Sequence, residues 1–289
     1  MTDGDDANPD RGIPGIAGLL EVRPGGVDLR DYDPHGKPGF DGDKKAGKHA
    51  ALALEDELLE LQTKLAAHGY TDGTGALLLV IQGMDTSGKG GVLKHAVSML
   101  DPGGVRVASF KAPTEEEREH DFLWRVEKRA PAPGQVTIFD RSHYEDVLIA
   151  KVHELAPAEE IERRYDAIND FEKRLVESGT VVIKCMLHIS EEEQRTRLLK
   201  RLNRPDKLWK FKPEDIDERE RWDEYQTAYE IALERCNTSW APWHVVPSDR
   251  KWYRTLAIAS LMRDALAALK LDWPEVDFDV EEQKRRLIS

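Results

Sequence analysis

A glycine-rich segment at residues 83–90 carries the residue types of a phosphate-binding loop. It follows an apolar run, precedes a helical pattern, and contains Lys89 near its end. In that context the backbone N–H groups of the loop and of the first helical turn point at phosphate oxygens, and the lysine contacts them as a point charge. The loop residues predicted to bind phosphate are Gly83, Ser87, Gly88 and Gly90. The alternative is a glycine-rich turn without function.

The last position of this loop lacks the usual metal ligand. A Ser or Thr hydroxyl ordinarily holds Mg²⁺ there, whereas this chain has Gly90 and carries Asp85 inside the loop. A carboxylate beside a cradle for anions repels the substrate unless a cation lies between them. Asp85 is therefore predicted to bind Mg²⁺, with Mn²⁺ as a substitute. The alternative is that Asp85 points outward and only shapes the turn.

A second carboxylate follows the apolar run Val136–Phe139. Ligands of open α/β sheets bind at the carboxyl ends of the strands, so Asp140 is predicted to hold the same metal. Arg141 comes next, placed to meet the negative charge that develops in phosphoryl transfer. The alternative is that Asp140 only caps the next helix. His143 is expected to be a packing or solvent-facing histidine rather than a catalytic group.

One segment is strongly basic although the whole chain carries a formal net charge of −13. Between Arg195 and Lys212 there are eight Lys or Arg residues and one acid, Asp206. The overall charge argues against nucleic-acid binding, because duplex affinity depends on neutralising phosphates. A helix capped by Ser190 places four of the cations on one face: Arg197, Lys200, Arg201 and Arg204. A mobile segment that grips a polyanion is predicted, with Trp209 and Phe211 anchoring its far end; the alternative is a solvated face paired with the acids of residues 214–224.

Apolar runs alternate with helical patterns along the chain. The predicted strands are Leu77–Gln82, Val105–Phe110, Val136–Phe139, Val181–Leu187 and His244–Val246. The predicted helices are His49–His68, Gly91–Leu100, Glu115–Lys128, Tyr144–Val152, Glu159–Glu177, one from Glu191, Glu214–Arg235 and Lys251–Leu269. Such alternation is typical of a parallel sheet covered by helices on both faces. Capping boxes are predicted for Thr114 with Glu117, Ser142 with Glu145 and Ser190 with Glu193.

The composition indicates a globular protein of the cytoplasm. The longest apolar stretch, Ala76–Ile81, is far shorter than the ~20 residues of a membrane helix, and the acidic start Met1–Asp6 is unlike a secretion signal. No membrane association is expected. Cys185 and Cys236 are expected to be buried thiols, which fits a reducing compartment. Residues 1–47 are rich in Gly, Pro and Asp and are predicted to form an extended arm.

Six blocks of the sequence together resemble the polyphosphate kinase 2 family. They are GMDTSGKGG at 83–91, SFKAPTEEE at 109–117, HDFLWRV at 120–126, DRSHYEDVL at 140–148, LHISEEEQ at 187–194 and APWHVVPSDRKWYR at 241–254. The resemblance covers about residues 50–272 and implies a P-loop kinase-like fold, a three-layer α/β/α arrangement around a parallel five-stranded sheet. It places the phosphotransferase domain at 48–272, a helical lid at about 195–215, and a C-terminal tail at 273–289.

The resemblance also implies an activity, in which phosphate passes from inorganic polyphosphate to AMP or ADP with Mg²⁺, giving ADP or ATP. The residues that match the family's two acidic motifs are Asp85, Lys89, Asp140 and Arg141, and those that fall in its lid are Arg201, Arg204, Lys207 and Lys210. Branches that use AMP more often have Asn at position 140, whereas residues 142–146 resemble those branches. The choice between AMP and ADP therefore stays open. A homo-oligomer, a dimer or a tetramer, is expected.

Two other functions are compatible with the loop itself. One is an ATP-dependent kinase of nucleotides or small metabolites. The other is a nucleotide-binding module without catalysis, which would leave the two metal-ready carboxylates unexplained.

Overall fold

Five apolar segments form strands in residues 15–71 and 73–288, the part of the chain that the computed structural model describes. They are β1 (Ala76–Gln82), β2 (Val105–Ser109), β3 (Val136–Asp140), β4 (Thr180–His188) and β5 (Trp243–Pro247). All neighbours pair in parallel, in the order β2-β3-β1-β4-β5. The prediction of a parallel five-stranded sheet is confirmed.

Helices connect and flank the strands. In the described residues they are α1 (Ile16–Leu20), α2 (Lys44–Leu52), α3 (Glu55–Tyr70), α4 (Lys89–His95), α5 (Glu115–Arg118), α6 (Trp124–Glu127), α7 (Ile149–Val152), α8 (Ala158–Glu177), α9 (Glu191–Leu202), α10 (Glu214–Glu220), α11 (Trp222–Arg235), α12 (Lys251–Ala268) and α13 (Val280–Ile288). Short 3₁₀ turns occupy Leu29–Asp31, Val97–Met99, Pro102–Gly104, His143–Asp146 and Leu208–Lys210.

Some predicted helices are interrupted. The segment predicted as one helix over Glu115–Lys128 is two short helices, because the Asp121 carboxylate accepts a hydrogen bond from the backbone N–H of Leu123 and so competes with the helix. The helix predicted over Glu214–Arg235 breaks at Arg221, whose guanidinium donates to the carbonyl of Val152 at 2.7 Å. The helix predicted over His49–His68 likewise divides, into α2 and α3.

Two apolar cores lie on the two faces of the sheet. Successive side chains of a strand point to opposite faces, so along β1 Leu77, Leu79 and Ile81 join one core while Leu78 and Val80 join the other. Helices α3, α4 and α12 cover the first face, and α8 and α11 cover the second. Cys185 and Cys236 are buried free thiols, as predicted.

The segment predicted as an extended arm is described from residue 15 onward, and its first fourteen residues lie outside the described part. From residue 15 it packs on the main body: Ile16 and Leu20 of α1 are buried, and the N–H of Val22 donates to the carbonyl of Trp243 at 2.8 Å. The predicted domain boundary at 47/48 falls inside α2, where a Cβ on Gly47 would collide with the ring of Trp252. This part of the chain is thus joined to the domain by packing.

No helix in residues 15–71 and 73–288 is long and apolar enough to cross a membrane. The segment after residue 272 ends in α13, none of whose described residues is buried.

Candidate active site

The phosphate-binding loop connects β1 to α4, as predicted. Its backbone requires glycine at two positions. Gly83 has φ +150°, and a Cβ there would lie 2.7 Å from Ser87 Oγ; Gly88 has φ +115°, and a Cβ there would collide with the guanidinium of Arg254. At Gly90 a Cβ would meet open space, so packing does not explain the missing hydroxyl. The side chain of Ser87 is fully buried and lines none of the cavities described below.

The carbonyl groups of the loop are held from behind by side chains of two other helices. Gln194 of α9 donates to the carbonyl of Asp85 at 3.1 Å. Arg197 of α9 donates through Nη1 to the carbonyls of Thr86 and Ser87, at 2.8 and 3.0 Å. Arg254 of α12 donates through Nη1 to the same Ser87 carbonyl at 3.0 Å. The conformation of the loop is thus set by three residues distant from it in sequence.

The lysine of the loop folds back over the loop itself. Lys89 Nζ donates to the carbonyl of Gly83 at 2.5 Å and to that of Met84 at 3.4 Å. Burial lowers the pKa of this ammonium group, while the Asp85 carboxylate opposes the shift. A bound phosphate would offer the ammonium group charged acceptors in place of neutral carbonyls.

The second acidic motif lies beside the loop because β1 and β3 are neighbours, with Ile81 paired to Asp140. Asp140 does not cap the next helical turn, since Ser142 occupies that position and accepts a hydrogen bond from the N–H of Tyr144. The predicted capping box of Ser142 with Glu145 is therefore wrong, whereas both bonds of the Thr114–Glu117 box are present and Ser190 accepts from the N–H of Glu193.

Arg141 connects the two acidic motifs. Its guanidinium lies 3.6 Å from an oxygen of Asp85 and 3.8 Å from one of Glu145. Burial alone would lower the pKa of Arg141, but the carboxylates of Glu145 and Asp85 raise it. Burial raises the pKa of Glu145, against the opposite effect of Arg141 and Lys89. The side chains predicted to act together, Asp85, Lys89, Asp140 and Arg141, are thus close enough to interact electrostatically.

Three cavities meet at Arg141. The basic cavity, about 610 Å³, is lined by Asp85, Asp140 and the following cations: Lys89, Arg141, Arg197, Lys200, Arg201, Arg204, Lys207, Lys210, Lys251 and Arg254. The central cavity, about 570 Å³, lies between the loop, Glu145 and the segment 209–229. The outer cavity, about 720 Å³, extends from Arg141 to the segment 110–125 after β2 and to α8.

The predicted lid consists of α9, a loop, the 3₁₀ turn Leu208–Lys210 and the start of α10. Its four predicted phosphate-binding cations all line the basic cavity: Arg201, Arg204, Lys207 and Lys210. Three of them also contact acids, since Arg201 lies 3.4 Å from Asp215, and Arg204 and Lys207 lie 2.8 and 3.7 Å from Asp206. Both the predicted basic surface and part of its alternative, pairing with the acids of 214–224, are therefore present.

Two details of the lid prediction are wrong. Arg197 is not part of an exposed cationic face, because it is buried and its guanidinium is fully engaged with loop carbonyls, with those of Ser248 and Asp249, and with Glu193. Trp209 does not anchor the far end of the segment, because its side chain is 75 % exposed at the central cavity.

A fully buried polar cluster supports the loop after β3. Lys184 of β4 donates to Glu172 of α8 at 2.6 Å, to the hydroxyl of Tyr144 at 3.0 Å and to the carbonyl of Cys236 at 2.6 Å. The Tyr144 hydroxyl donates to Glu172 at 2.8 Å, and His143 Nε2 lies 3.2 Å from the same carboxylate. Burial alone would raise the pKa of Glu172, but Lys184 and His143 lower it. His143 is thus a packing histidine, as predicted.

Sequence reasoning missed four residues that position the site: Arg254, Gln194 and the buried pair of Lys184 with Glu172. A signal exists for two of them. Lys184 interrupts the apolar run of β4, and Arg254 interrupts the apolar stretch of α12. A charged residue inside an apolar element must have a polar partner or a function. Gln194 carries no such signal.

Comparison with known proteins places the chain among relatives of similar length. The model of the family described as Polyphosphate kinase 2 matches residues 41–273. An AMP/ADP-polyphosphate phosphotransferase of Meiothermus ruber is 41% identical over 255 residues, which are 88% of this chain and 94% of that protein. An ADP-polyphosphate phosphotransferase of Rhodopseudomonas palustris is 36% identical over 262 residues, 86% of this chain and 89% of that protein.

Solved structures agree. The crystal structure of Polyphosphate Kinase 2 from Arthrobacter aurescens TC1 is 50% identical, superposes with a TM-score of 0.93, and covers 96% of this chain and 98% of its own. The predicted P-loop kinase-like α/β fold is therefore confirmed. With the family model matching most of its length and these relatives covering at least 86% of it, the chain belongs to the polyphosphate kinase 2 family.

Proposed function

We propose that this protein transfers phosphoryl groups from inorganic polyphosphate to AMP and to ADP. The observation that carries the proposal is the basic cavity, where ten Lys or Arg side chains and two carboxylates line one space beside the phosphate loop. Polyphosphate is a chain of closely spaced negative charges, and a cavity of one sign of charge concentrates such a ligand. An ATP-specific kinase needs cations for three phosphates, whereas these cations extend from the loop along the whole lid.

The acceptor nucleotide is assigned to the outer cavity. This cavity joins the basic cavity at Arg141, and its far wall combines aromatic residues with arginines: Phe110, Phe122, Arg118, Arg125, Arg163 and Arg164. Apolar and aromatic walls with a few charged groups are typical of sites for nucleosides and other small molecules. A nucleotide seated there would present its terminal phosphate to Arg141, on the side opposite the polyphosphate chain. In-line transfer requires that opposition.

The carboxylates of the site fit a magnesium ion. Asp85 and Asp140 both line the basic cavity next to Lys89, and both remain partly exposed. Among the described residues no group of three His, Cys, Asp or Glu side chains could hold a metal by itself. A site with two carboxylates suits Mg²⁺, which is usually bound by one or two carboxylates together with substrate phosphates and water. Mn²⁺ is the proposed substitute. When bound, the ion would neutralise negative charge on the transferred phosphoryl group.

The protein's own side chains would then bind and orient. Lys89 would exchange its contacts with loop carbonyls for phosphate oxygens, and Arg141 would hold the transferred group between donor and acceptor. Closure of Arg201 and Arg204 over the chain would exclude water and so limit hydrolysis. No residue is required as a general base, because the attacking phosphate oxygen is already ionised near neutral pH.

Product analysis tests the proposed function directly. With Mg²⁺, long-chain polyphosphate and no nucleoside triphosphate, AMP is expected to give ADP first and ATP later, and ADP is expected to give ATP in a separate reaction. Chromatography of the nucleotides over time checks both. Rejection of AMP with use of ADP would restrict the protein to diphosphate acceptors. Turnover only with ATP as donor, or binding without turnover, would overturn the proposal.

The lid cations carry a second prediction. In the double variant Arg201→Ala/Arg204→Ala the KM for polyphosphate is expected to rise about tenfold, because two charge-assisted contacts are lost. Its salt dependence should flatten, since exposed ionic contacts are screened by added salt. Initial rates at several NaCl concentrations measure both effects.

A matched control removes two cations far from the cavities. Lys173 and Arg174 lie on α8 and are about half exposed, so Lys173→Ala/Arg174→Ala should leave the polyphosphate KM unchanged. Equal kinetics for the lid variant and this control would show that the lid cations form only a solvated face.

The expected homo-oligomer and the expected location in the cytoplasm stay predictions. Exposed apolar side chains near the C-terminus, among them Trp273, Phe278 and Leu287, are compatible with an interface between copies.

A further inference from the structure

An arginine is buried directly behind the phosphate loop without a counter-ion. Arg254 lies in the first turn of α12 and is 2 % exposed. In residues 15–71 and 73–288 no carboxylate forms an ion pair with it, and its Nε has no hydrogen-bond partner. The charged group that acts on it is a like charge, the guanidinium of Arg197. A buried cation with no carboxylate beside it destabilises a folded protein.

The position of this guanidinium ties it to the loop. A Cβ at Gly88 or at Gly91 would collide with it, so the loop backbone lies in direct contact with the charged group. Nη1 donates to the carbonyl of Ser87, which also accepts from Arg197. In a trans peptide the C=O and the following N–H point in opposite directions, so turning the Ser87 carbonyl toward Arg254 turns the N–H of Gly88 away from it.

The burial of Arg254 strengthens the effect of its charge on nearby groups. Burial and the neighbouring Arg197 lower the pKa of Arg254 to about 10, which leaves the guanidinium protonated at neutral pH. Arg254 lines the basic cavity together with Lys89 and Gly90 although only 2 % of it is exposed, so its charge is largely shielded from solvent. In such surroundings a charge interacts more strongly than in bulk solvent.

We infer that Arg254 is a positioning residue of the donor site, one that holds the Ser87–Gly88 peptide with its N–H toward the phosphates and whose counter-ion is the bound polyphosphate itself. Arg197 assists from the other side of the same carbonyl, but it differs because Glu193 compensates its charge. The inference rests on the proposed function, since it assigns a role to a phosphate-chain donor. It means that the empty protein carries a destabilising feature that the substrate removes.

The decisive variant is Arg254→Met, which keeps the length of the side chain and removes its charge. Melting temperatures are measured with and without inorganic tripolyphosphate as the probe, beside kcat and KM for polyphosphate. Without ligand the Tm is expected to stay within about 2 °C of wild type or to rise, because an uncompensated buried charge has been removed. The ligand-induced Tm shift is expected to fall below about half of the wild-type shift, and kcat/KM is expected to fall about 100-fold.

Two further variants separate the effect of the Arg254 charge on ligand binding from its effect on stability. Arg263 lies on the same helix and is paired with Asp264 at 2.8 Å, so Arg263→Met should lower the Tm and leave the ligand-induced shift intact. Arg254→Lys, which returns the charge, should regain most of the shift.

An Arg254→Met protein that loses stability but keeps the full tripolyphosphate response would be explained by a structural role alone and would overturn the inference. A wild-type protein that does not respond to tripolyphosphate would overturn the proposed function and the inference together.

Discussion

Replacing Asp85 or Asp140 by asparagine is expected to lower the rate of phosphoryl transfer by about 10²- to 10³-fold, the range seen when one preorganised electrostatic contact of a transition state is removed. Both carboxylates line the basic cavity beside Lys89, and both are partly exposed. Asparagine has the same shape but no charge, so it would hold a divalent cation poorly among so many Lys and Arg side chains. Initial rates at saturating Mg²⁺, polyphosphate and ADP measure the effect.

Melting temperatures separate the loss of a metal ligand from misfolding. Because neither carboxylate is deeply buried, the Tm of both variants should remain close to that of wild type. Asp166→Asn is the matched control, since Asp166 is exposed on α8 near Arg235 and away from every cavity named above, and it should leave the rate unchanged. Turnover within a few fold of wild type in either site variant would exclude that carboxylate as an essential ligand.

Among all the substitutions proposed for this protein, Lys184→Met should cause the largest loss of stability. Lys184 and Glu172 are both fully buried, and their side chains are 2.6 Å apart. Without the lysine, the Glu172 carboxylate would retain, among residues 15–71 and 73–288, only His143 and the Tyr144 hydroxyl as polar partners. Breaking a buried ion pair by removing one member costs about 3–5 kcal/mol, and urea denaturation measures the change in the free energy of unfolding.

The double variant Glu172→Gln/Lys184→Met tests the cause. With both charges removed, about half of the lost stability is expected to return, because no uncompensated buried charge remains. A loss below about 1 kcal/mol in the single variant would show that Glu172 is protonated or otherwise compensated without Lys184. The same pair supports Tyr144, which follows Arg141 by three residues, so the single variant should also lower turnover at temperatures where it is still folded.

The strands and the chemical motifs of this protein were predictable because their signals are local. An apolar run such as Val136–Phe139 marks a buried strand, and the carboxylate after it lies at the carboxyl end of the sheet. The pairing of β1 with β3, which brings Asp140 beside the phosphate loop, was not predicted, because no local pattern of either segment indicates it. The general rule for open sheets placed Asp140 only at the edge where ligands bind.

The supporting groups were not predictable because burial of a charge depends on the tertiary structure. Arg197 and Arg201 are four residues apart on one helix and look equivalent in sequence. In the structure Arg197 is buried and its guanidinium donates to carbonyls of the phosphate loop, while Arg201 is partly exposed and contacts Asp215. Helical periodicity gives the angle between two side chains but not the orientation of the helix against its neighbours. The break at Arg221 had the same origin, a contact with the distant carbonyl of Val152.

The N-terminal segment has a consequence for how the protein is made. Three of its hydrogen bonds, from Asn237 to Val22, Arg250 to His35 and Tyr253 to Pro38, each join residues 215 positions apart. At the ~5–20 residues per second of translation, the segment therefore waits roughly 10–40 s for its partners. Its apolar side chains stay uncovered during that time. The segment is thus expected to dock only after β5 has been synthesised, and because its residue Glu21 bridges to His244 of β5, an edge strand, it covers part of an edge otherwise open to other strands.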